Sequence, residues 1–259
     1  MKKRLWFISI LCSFLFVIVI SLALWLPTKY QVPILMYHSI ATAWHEPLNN
    51  VNLEHFNRQM AYLKQKGYKV ISLVQLVDEI KSGRGHDRKS VVITFDDGYE
   101  NNYTAAYPVL KKHGFPATIF VEVAHLDHPG RLTWVQAKEM DADGISIESH
   151  VMTGAYLPGL SHEQAWGEIT QSKKNLQMRL GHPVRFLAYP TGGFSEDIKK
   201  IVAQAGYDAA FATNRGYDRD VRDLYEIKRI RMKNSDDDPQ MWLKVSGYYN
   251  LIRKSKNPF

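Results

Sequence analysis

The sequence predicts an α/β fold in which a parallel sheet closes into a barrel with helices outside, preceded by one N-terminal transmembrane helix. Three observations lead to this prediction. Strand-like and helix-like segments alternate from residue 32 onward, the six to eight strands favour a barrel over an open sheet, and one long apolar stretch lies near the N-terminus. With 45% hydrophobic and 23% charged residues, the chain of 259 residues is not a disordered or collagen-like protein.

The apolar stretch runs from Leu5 to Pro27 and follows three basic residues at positions 2–4. A helix of about 22 residues is ~33 Å long, close to the hydrocarbon core of a bilayer. The positive-inside rule places the basic end in the cytoplasm, so we expect a single-pass cell-membrane protein with an extracytoplasmic body. A cleavable signal peptide is the alternative, and it would leave a secreted protein. The expected division is a signal anchor at 1–27, a linker at 28–31 and a catalytic domain at 32–259.

Each strand is predicted from a short apolar run bounded by turn residues, and each helix from apolar spacings of three and four. The predicted strands are 32–37, 68–72, 90–95, 117–123, 144–148, 185–188, 209–212 and 225–232. The predicted helices are 53–67, 73–81, 103–113, 133–142, 161–180, 195–205 and a short one near 238–245. Because helices separate the strands, the sheet is parallel and its carboxyl ends share one rim, where reacting groups are expected.

Charge and cysteine content exclude several classes of partner and site. The net charge is +7, and without the three basic residues at the N-terminus it is +4, a mild excess. No basic run alternates with aromatic residues, so we expect no nucleic-acid partner. The only cysteine is Cys12, which excludes an internal disulfide and a zinc site built on several thiolates.

The strand 90–95 runs directly into Asp96, Asp97 and Gly98. Two adjacent carboxylates at a buried strand end are unfavourable unless a cation or a proton offsets their charge. Glycosidase carboxylates usually come from separate elements, so adjacency fits better with one metal ligand and one base. Carboxylates that cap the next helix are the alternative.

Two further strand ends carry candidate groups. The strand 144–148 is followed by His150, and an imidazole with a carboxylate suits zinc or a similar divalent ion. The strand 185–188 is followed by a Pro-Gly turn at 189–193 that can present backbone N–H groups to an oxyanion. A structural histidine and an ordinary loop remain the alternatives.

These motifs resemble a known family. In order along the chain, Thr94-Phe95-Asp96-Asp97-Gly98, Ser149-His150 and Tyr189-Pro190-Thr191-Gly192 are similar to the polysaccharide deacetylase family. The family is also called the chitooligosaccharide-deacetylase homology domain or carbohydrate esterase family 4. The segments 34–40 and 56–72 resemble its biofilm-exopolysaccharide deacetylase branch, and the likeness covers residues 32 to 235.

The resemblance implies an α/β fold with a distorted (β/α)7-type barrel, and it implies removal of N-acetyl groups from a GlcNAc-containing cell-wall or extracellular polysaccharide. It implies that Asp96 is the general base, that Asp97 and His150 bind a divalent metal, and that the Thr191 backbone stabilises the oxyanion. The expected metal is zinc, with nickel, cobalt, iron or manganese as alternatives. His38 ends the first strand, and we hypothesise that it is the general acid, because the chain lacks the family's late Leu-x-His; a structural histidine is the alternative.

The chain departs from the family at the second motif, His-(Ser/Thr)-x-x-His, because Val151 and Gly154 replace the hydroxyl residue and the second metal-binding histidine. Loss of a ligand is expected to weaken metal binding and activity. The open alternatives are a substitute ligand from His38, His162 or Tyr156, a weakly active site, or a non-catalytic carbohydrate-binding domain. An O-acetyl esterase is a further alternative, since the same site can cleave esters.

The remaining candidates concern substrate contacts. We predict that Tyr189, Pro190, Gly192 and Trp134 contact the substrate; Trp134, Tyr189, Tyr156 and Phe194 can form a sugar-stacking floor or simply pack in the core. Arg229 or Arg231 on the last strand can orient Asp96, or lie at the surface.

Overall fold

The structure is a computed structural model that describes residues 2–41, 50–214 and 223–253. The chain divides into two units, residues 1–31 and 32–259. In the first unit, helix α1 spans Lys2–Trp25 and a 3-10 turn follows at Leu26–Lys29. Among the described residues, the window Cys12–Lys29, with a mean hydropathy of 1.9, is long and apolar enough to cross a membrane, a test that a signal sequence also passes. This agrees with the predicted N-terminal apolar helix.

The second unit alternates strands and helices. Its strands are β1 (Ile34–Tyr37), β2 (Ile40–Ala41), β3 (Val51–Asn52), β4 (Lys69–Val70), β5 (Ser90–Phe95), β6 (Ala117–Val121), β7 (Ile145–Ser149), β8 (Phe186–Ala188), β9 (Ala209–Ala212), β10 (Ile227–Lys228) and β11 (Ile230–Arg231). Its helices are α2 (Leu53–Gln65), α3 (Leu73–Ser82), α4 (Tyr107–His113), α5 (Trp134–Ala142), α6 (His162–Leu180), α7 (Glu196–Gln204) and α8 (Asp238–Val245). Side-chain caps at Asn52, Ser72, Thr133, Ser161, Ser195 and Asp237 start six of these helices.

The main sheet is parallel, with the order β10-β9-β8-β7-β6-β5-β1-β11, and β4 pairs with β5 beside it. At one end Ile227 of β10 pairs with Phe211, and at the other Ile230 of β11 pairs with Leu35. Since β10 and β11 are separated only by Arg229, the chain itself joins the two ends of the sheet. If β10 and β11 are counted as one strand, then together with β1 and β5–β9 the barrel has seven strands, which confirms the predicted barrel.

Two elements differ from their predicted form. The predicted strand 225–232 is wrong as one strand, because its first half pairs with β9 and its second half with β1, and it breaks where the partner changes. The predicted helix 103–113 begins with a π-helical turn at Asn102–Ala106 before α4. Pro108 in the first turn of α4 lacks the N–H that an unbroken α-helix would use.

The barrel interior is filled by large apolar side chains. All six residues of β5 and all four of β1 are buried. The centre of the Phe211 ring lies 5.7 Å from that of Phe120 and 5.9 Å from that of Phe186. A filled interior leaves the rim at the carboxyl ends of the strands as the place for a site.

Candidate active site

A cleft of about 550 Å³ opens at the carboxyl ends of the strands. All five residues predicted to be catalytic or to bind metal line it, each at or just beyond a strand end: His38, Asp96, Asp97, His150 and Thr191. The parallel sheet brings these residues together although 153 positions separate the first from the last (191 minus 38). The topology thus accounts for their convergence.

Asp96 is held by a bidentate ion pair with Arg229. The distances from the guanidinium nitrogens to Oδ1 and Oδ2 are 2.6 and 2.7 Å, and both side chains are almost fully buried. The guanidinium carbon lies 5.2 Å from the centre of the Phe120 ring. Burial alone would raise the pKa of Asp96, but the charge of Arg229 lowers it below the ordinary value. Asp96 is therefore an ionised carboxylate in a fixed orientation, and Arg229 rather than Arg231 is its partner.

Asp97 and His150 face each other across the base of the cleft. The distance from His150 Nε2 to Asp97 Oδ1 is 3.4 Å. His150 Nδ1 lies 2.8 Å from the Ala188 carbonyl, which can only accept, so Nδ1 donates and Nε2 faces Asp97. Burial would raise the pKa of Asp97, but the hydrogen bond and charge of His150 lower it to about 2. The Asp97 carboxylate and the His150 Nε2 atom are therefore placed so that both could bind one cation.

The backbone at Asp97 is in the left-handed region, with φ of 71°. Arg131 donates from a guanidinium nitrogen to the Asp97 carbonyl at 2.5 Å and also lies 3.0 Å from Glu122 Oε2. Gly98 follows with φ of 66°, and a Cβ there would lie 2.9 Å from Val121. The sharp turn that aims Asp97 into the cleft therefore depends on a glycine and on a partly buried contact between the Arg131 guanidinium and the Asp97 carbonyl.

The structure offers a divalent metal two protein ligands. Within the described ranges, no third His, Cys, Asp or Glu side chain completes a group with Asp97 and His150, so neither His38 nor His162 fills that place. An imidazole and a carboxylate suit zinc or a similar divalent ion. Because catalytic zinc usually has three protein ligands, an ion held by this pair would take its remaining ligands from water.

The position of the missing histidine is filled by another side chain. Gly154 has φ of 75°, and a Cβ built on it would lie 2.0 Å from Glu122 Oε1. Glu122 is held there by Arg131 at 3.0 Å and His125 at 2.6 Å. The space that a side chain at residue 154 would need is thus occupied by the Glu122 carboxylate.

His38 lines the cleft at the end of β1 and is partly exposed. Burial lowers its pKa, while the charges of Asp96 and Asp97 act to raise it. Asn102 donates to its backbone carbonyl at 2.7 Å. This location is compatible with proton transfer, but the role of His38 as general acid stays a prediction.

Thr191 has φ of 54°, and its carbonyl accepts a hydrogen bond from the Thr213 hydroxyl at 3.0 Å. The other four predicted substrate contacts, Tyr189, Pro190, Gly192 and Trp134, are not among the residues that line the cleft. The Tyr189 ring is fully buried and stacks on Phe194 at 5.2 Å, while Trp134 packs under the guanidinium of Arg179 at 4.9 Å. The observed contacts of Tyr189 and Trp134 are packing contacts within the protein. The role of the four residues in substrate binding stays a prediction.

Sequence reasoning missed Glu122 and Arg131, which stand beside Gly154 and Asp97. It also missed the cleft wall formed by Lys233, Tyr249 and Arg253. No motif marks these residues. The pairing of Tyr99 with Arg131, which folds the segment after β6 back toward the site, is a long-range contact without a local sequence signal.

Comparison with known proteins agrees with this geometry. The sequence profile described as polysaccharide deacetylase matches residues 83–210. The YxkH protein of Bacillus subtilis (strain 168), named for polysaccharide deacetylases, is 34% identical over 212 residues, covering 80% of this chain and 74% of the relative. A poly-beta-1,6-N-acetyl-D-glucosamine N-deacetylase of Staphylococcus aureus (strain N315) is 27% identical, covering 73% of this chain and 69% of the relative.

Solved structures show the same architecture. The deacetylase PplD of Streptococcus pyogenes, determined in complex with acetate, superposes with a TM-score of 0.78 at 28% identity, covering 83% of this chain and 97% of that one. A polysaccharide deacetylase from Bacillus cereus gives 0.74 at 29% identity, covering 83% and 69%. By its fold, its motifs and these relatives, this chain is a member of the polysaccharide deacetylase family.

Proposed function

We propose that this protein removes acetyl groups from N-acetylglucosamine residues of an extracellular or cell-wall polysaccharide in a metal-dependent hydrolysis. The observation that carries the proposal is the meeting of Asp96, Asp97 and His150 in one cleft, with His150 Nε2 3.4 Å from Asp97 Oδ1. The Staphylococcus aureus relative, named for poly-beta-1,6-N-acetyl-D-glucosamine, supports the substrate class.

Asp97 and His150 are the residues that would hold the divalent ion, for which zinc is the expected species and nickel, cobalt, iron or manganese the alternatives. When bound, such an ion polarises an acetyl carbonyl and lowers the pKa of water. The tautomer fixed by the Ala188 carbonyl leaves His150 Nε2 available for this task.

Asp96 would accept a proton from the attacking water. A general base must be ionised and correctly oriented, and the bidentate contact with Arg229 supplies both conditions. The lowered pKa of Asp96 makes it a weak base, so the proton that it accepts is readily passed on.

The leaving amine needs one proton, and we assign its delivery to His38. Because burial lowers its pKa, His38 is mostly neutral at rest and would act after receiving the proton that Asp96 accepts. The Thr191 N–H would donate to the oxygen of the acetyl group as negative charge develops there.

The N-terminal helix supports a location outside the cytoplasm. We propose that residues 1–27 anchor the chain in the cell membrane and that the body from residue 32 onward is the catalytic domain. The basic residues before the apolar stretch favour the cytoplasmic orientation of the N-terminus. Polysaccharide outside the membrane would then be accessible to the cleft.

A non-catalytic carbohydrate-binding role is the second candidate. The observation in its favour is Gly154, whose missing side chain is replaced by Glu122, so that the described residues provide two metal ligands and not three. Retention of Asp96 in a bidentate pair with Arg229 favours catalysis, since sugar binding alone does not require an oriented base.

Acetate release from GlcNAc oligomers by the full-length protein in detergent, with metal content measured in parallel, distinguishes the two candidates. Asp96→Asn is expected to lower acetate release by about 100-fold or more while keeping the metal. Asp97→Asn is expected to lose the metal as well. The exposed Asp197→Asn, on α7, is the matched control and should change neither. Oligomer binding by the wild-type protein without acetate release at saturating metal would establish the non-catalytic role.

A further inference from the structure

The cleft carries more positive than negative charge on the described residues that line it. The cations are Arg229, Arg231, Lys233, Lys244 and Arg253, and the anions are Asp96, Asp97 and Asp236. Five minus three leaves a formal charge of +2, before any metal ion is added. A neutral GlcNAc polymer would give such charge nothing to bind.

Two of these cations are committed to acids inside the protein. Arg229 pairs with Asp96 at 2.6 Å, and Lys244 pairs with Asp236 at 2.6 Å, with all four side chains nearly buried. Asp97 lies against His150 at the other side of the cleft. Lys233 and Arg253 line the cleft together with Tyr249, and we call these three residues the basic wall.

The backbone under the basic wall is fixed by buried groups. The Lys233 N–H donates to Asp236 Oδ2 at 2.6 Å, and its carbonyl accepts from Gln59 Nε2 at 3.1 Å. The Lys244 ammonium also donates to the Arg231 carbonyl at 2.6 Å. Cations mounted on a preorganised backbone lose less entropy when they bind an anion than cations on a loose loop.

Tyr249 gives the basic wall an aromatic face. The guanidinium of Arg253 lies 4.9 Å from the centre of its ring, and the Lys244 ammonium lies 5.9 Å from it. The ring thus holds the Arg253 guanidinium by a cation–π contact. A planar guanidinium fixed in this way suits two oxygens of one phosphate or carboxylate.

We infer that the basic wall binds an anionic substituent, a phosphate or a carboxylate, on the polysaccharide, and that the preferred substrate is an acidic GlcNAc-containing glycan. This inference rests on the proposed function for the identity of the reacting sugar. It adds a charged subsite beside the hydrolytic groups, and it gives a role to the excess of positive charge among the described residues of the cleft.

The test compares three N-acetylated tetrasaccharides of equal length, one neutral, one bearing carboxylates and one bearing phosphates. Calorimetry gives the affinity of the full-length protein for each, and acetate release is measured separately. At low salt we expect at least one acidic tetrasaccharide to bind about tenfold more tightly than the neutral one, with a preference that falls as salt rises. Lys233→Gln and Arg253→Gln are each expected to reduce the ratio of acidic to neutral affinity by about threefold to tenfold.

Lys174→Gln, at an exposed position of α6 outside the cleft, is the matched control and should leave that ratio unchanged. Equal affinities for the three tetrasaccharides, or a preference that survives in the Lys233→Gln/Arg253→Gln double variant, would overturn the inference. Acidic preference without acetate release from any tetrasaccharide would instead refute the proposed hydrolysis and leave the subsite standing. Preference for one acidic probe alone identifies which anion the wall binds.

Discussion

Replacing Arg229 by methionine tests how the site is held together. The guanidinium is fully buried, Asp96 is 2% exposed, and their two contacts are 2.6 and 2.7 Å long. Arg229→Met leaves the Asp96 charge buried without a partner, and removal of one member of such a pair costs about 3–5 kcal/mol. In a body of 228 residues (259 minus 31), each kcal/mol shifts the Tm by roughly 2–4 °C, so we expect a fall of roughly 6–20 °C.

The assay is thermal unfolding of the full-length protein in detergent, followed by far-ultraviolet circular dichroism. Adding Asp96→Leu to Arg229→Met removes the unpaired buried carboxylate. The double variant should therefore recover at least half of the decrease in Tm. Lys200→Met, an exposed lysine on α7, is the control and should stay within about 2 °C of the wild type. The reasoning is refuted if Arg229→Met lowers the Tm by less than about 3 °C, or if the double variant is no more stable than the single one.

Two further predictions concern the missing ligand and a surface histidine. Gly154→His is expected to destabilise the protein by about 1–3 kcal/mol without raising its metal content, because the residue has φ of 75° and its Cβ would lie 2.0 Å from Glu122 Oε1. Gly154→Ala should lose a similar amount in urea unfolding, and a metal gain at unchanged stability would contradict this steric argument. The hydrogen bond that His182 donates to the Asp141 carboxylate raises the pKa of His182, so the protonated form favours folding below pH ~6.5 and this contribution is lost as pH rises through the folded pKa. An NMR titration should place the pKa of His182 above ~6.5 in the wild type and lower it in Asp141→Asn; identical titrations would show that the contact is absent.

Local patterns were sufficient to predict most of the secondary structure. The bounds of β5, β9 and α8 agree with their predictions, because each is a compact apolar or amphipathic run bounded by turn or capping residues. The same patterns located the five cleft residues, since parallel strands necessarily present their carboxyl ends on one rim.

Features that depend on distant contacts were not predictable in this way. The last strand breaks at Arg229 because it changes partner from β9 to β1, which no local pattern records. The sequence left Arg229 and Arg231 as equal candidates, and only the change of partner decides which side chain reaches Asp96. The filling of the space beside Gly154 by Glu122 likewise depends on tertiary packing.

The central claim is that Asp97 and His150 together hold a divalent ion for acetyl hydrolysis, and acetate release from a GlcNAc tetramer with and without chelation tests it most directly. Chelator-treated wild-type protein should release no acetate, added divalent metal should restore release, and His150→Ala should remain inactive at the same metal concentration. Acetate release that persists after chelation, or that is unchanged in His150→Ala, would contradict the account.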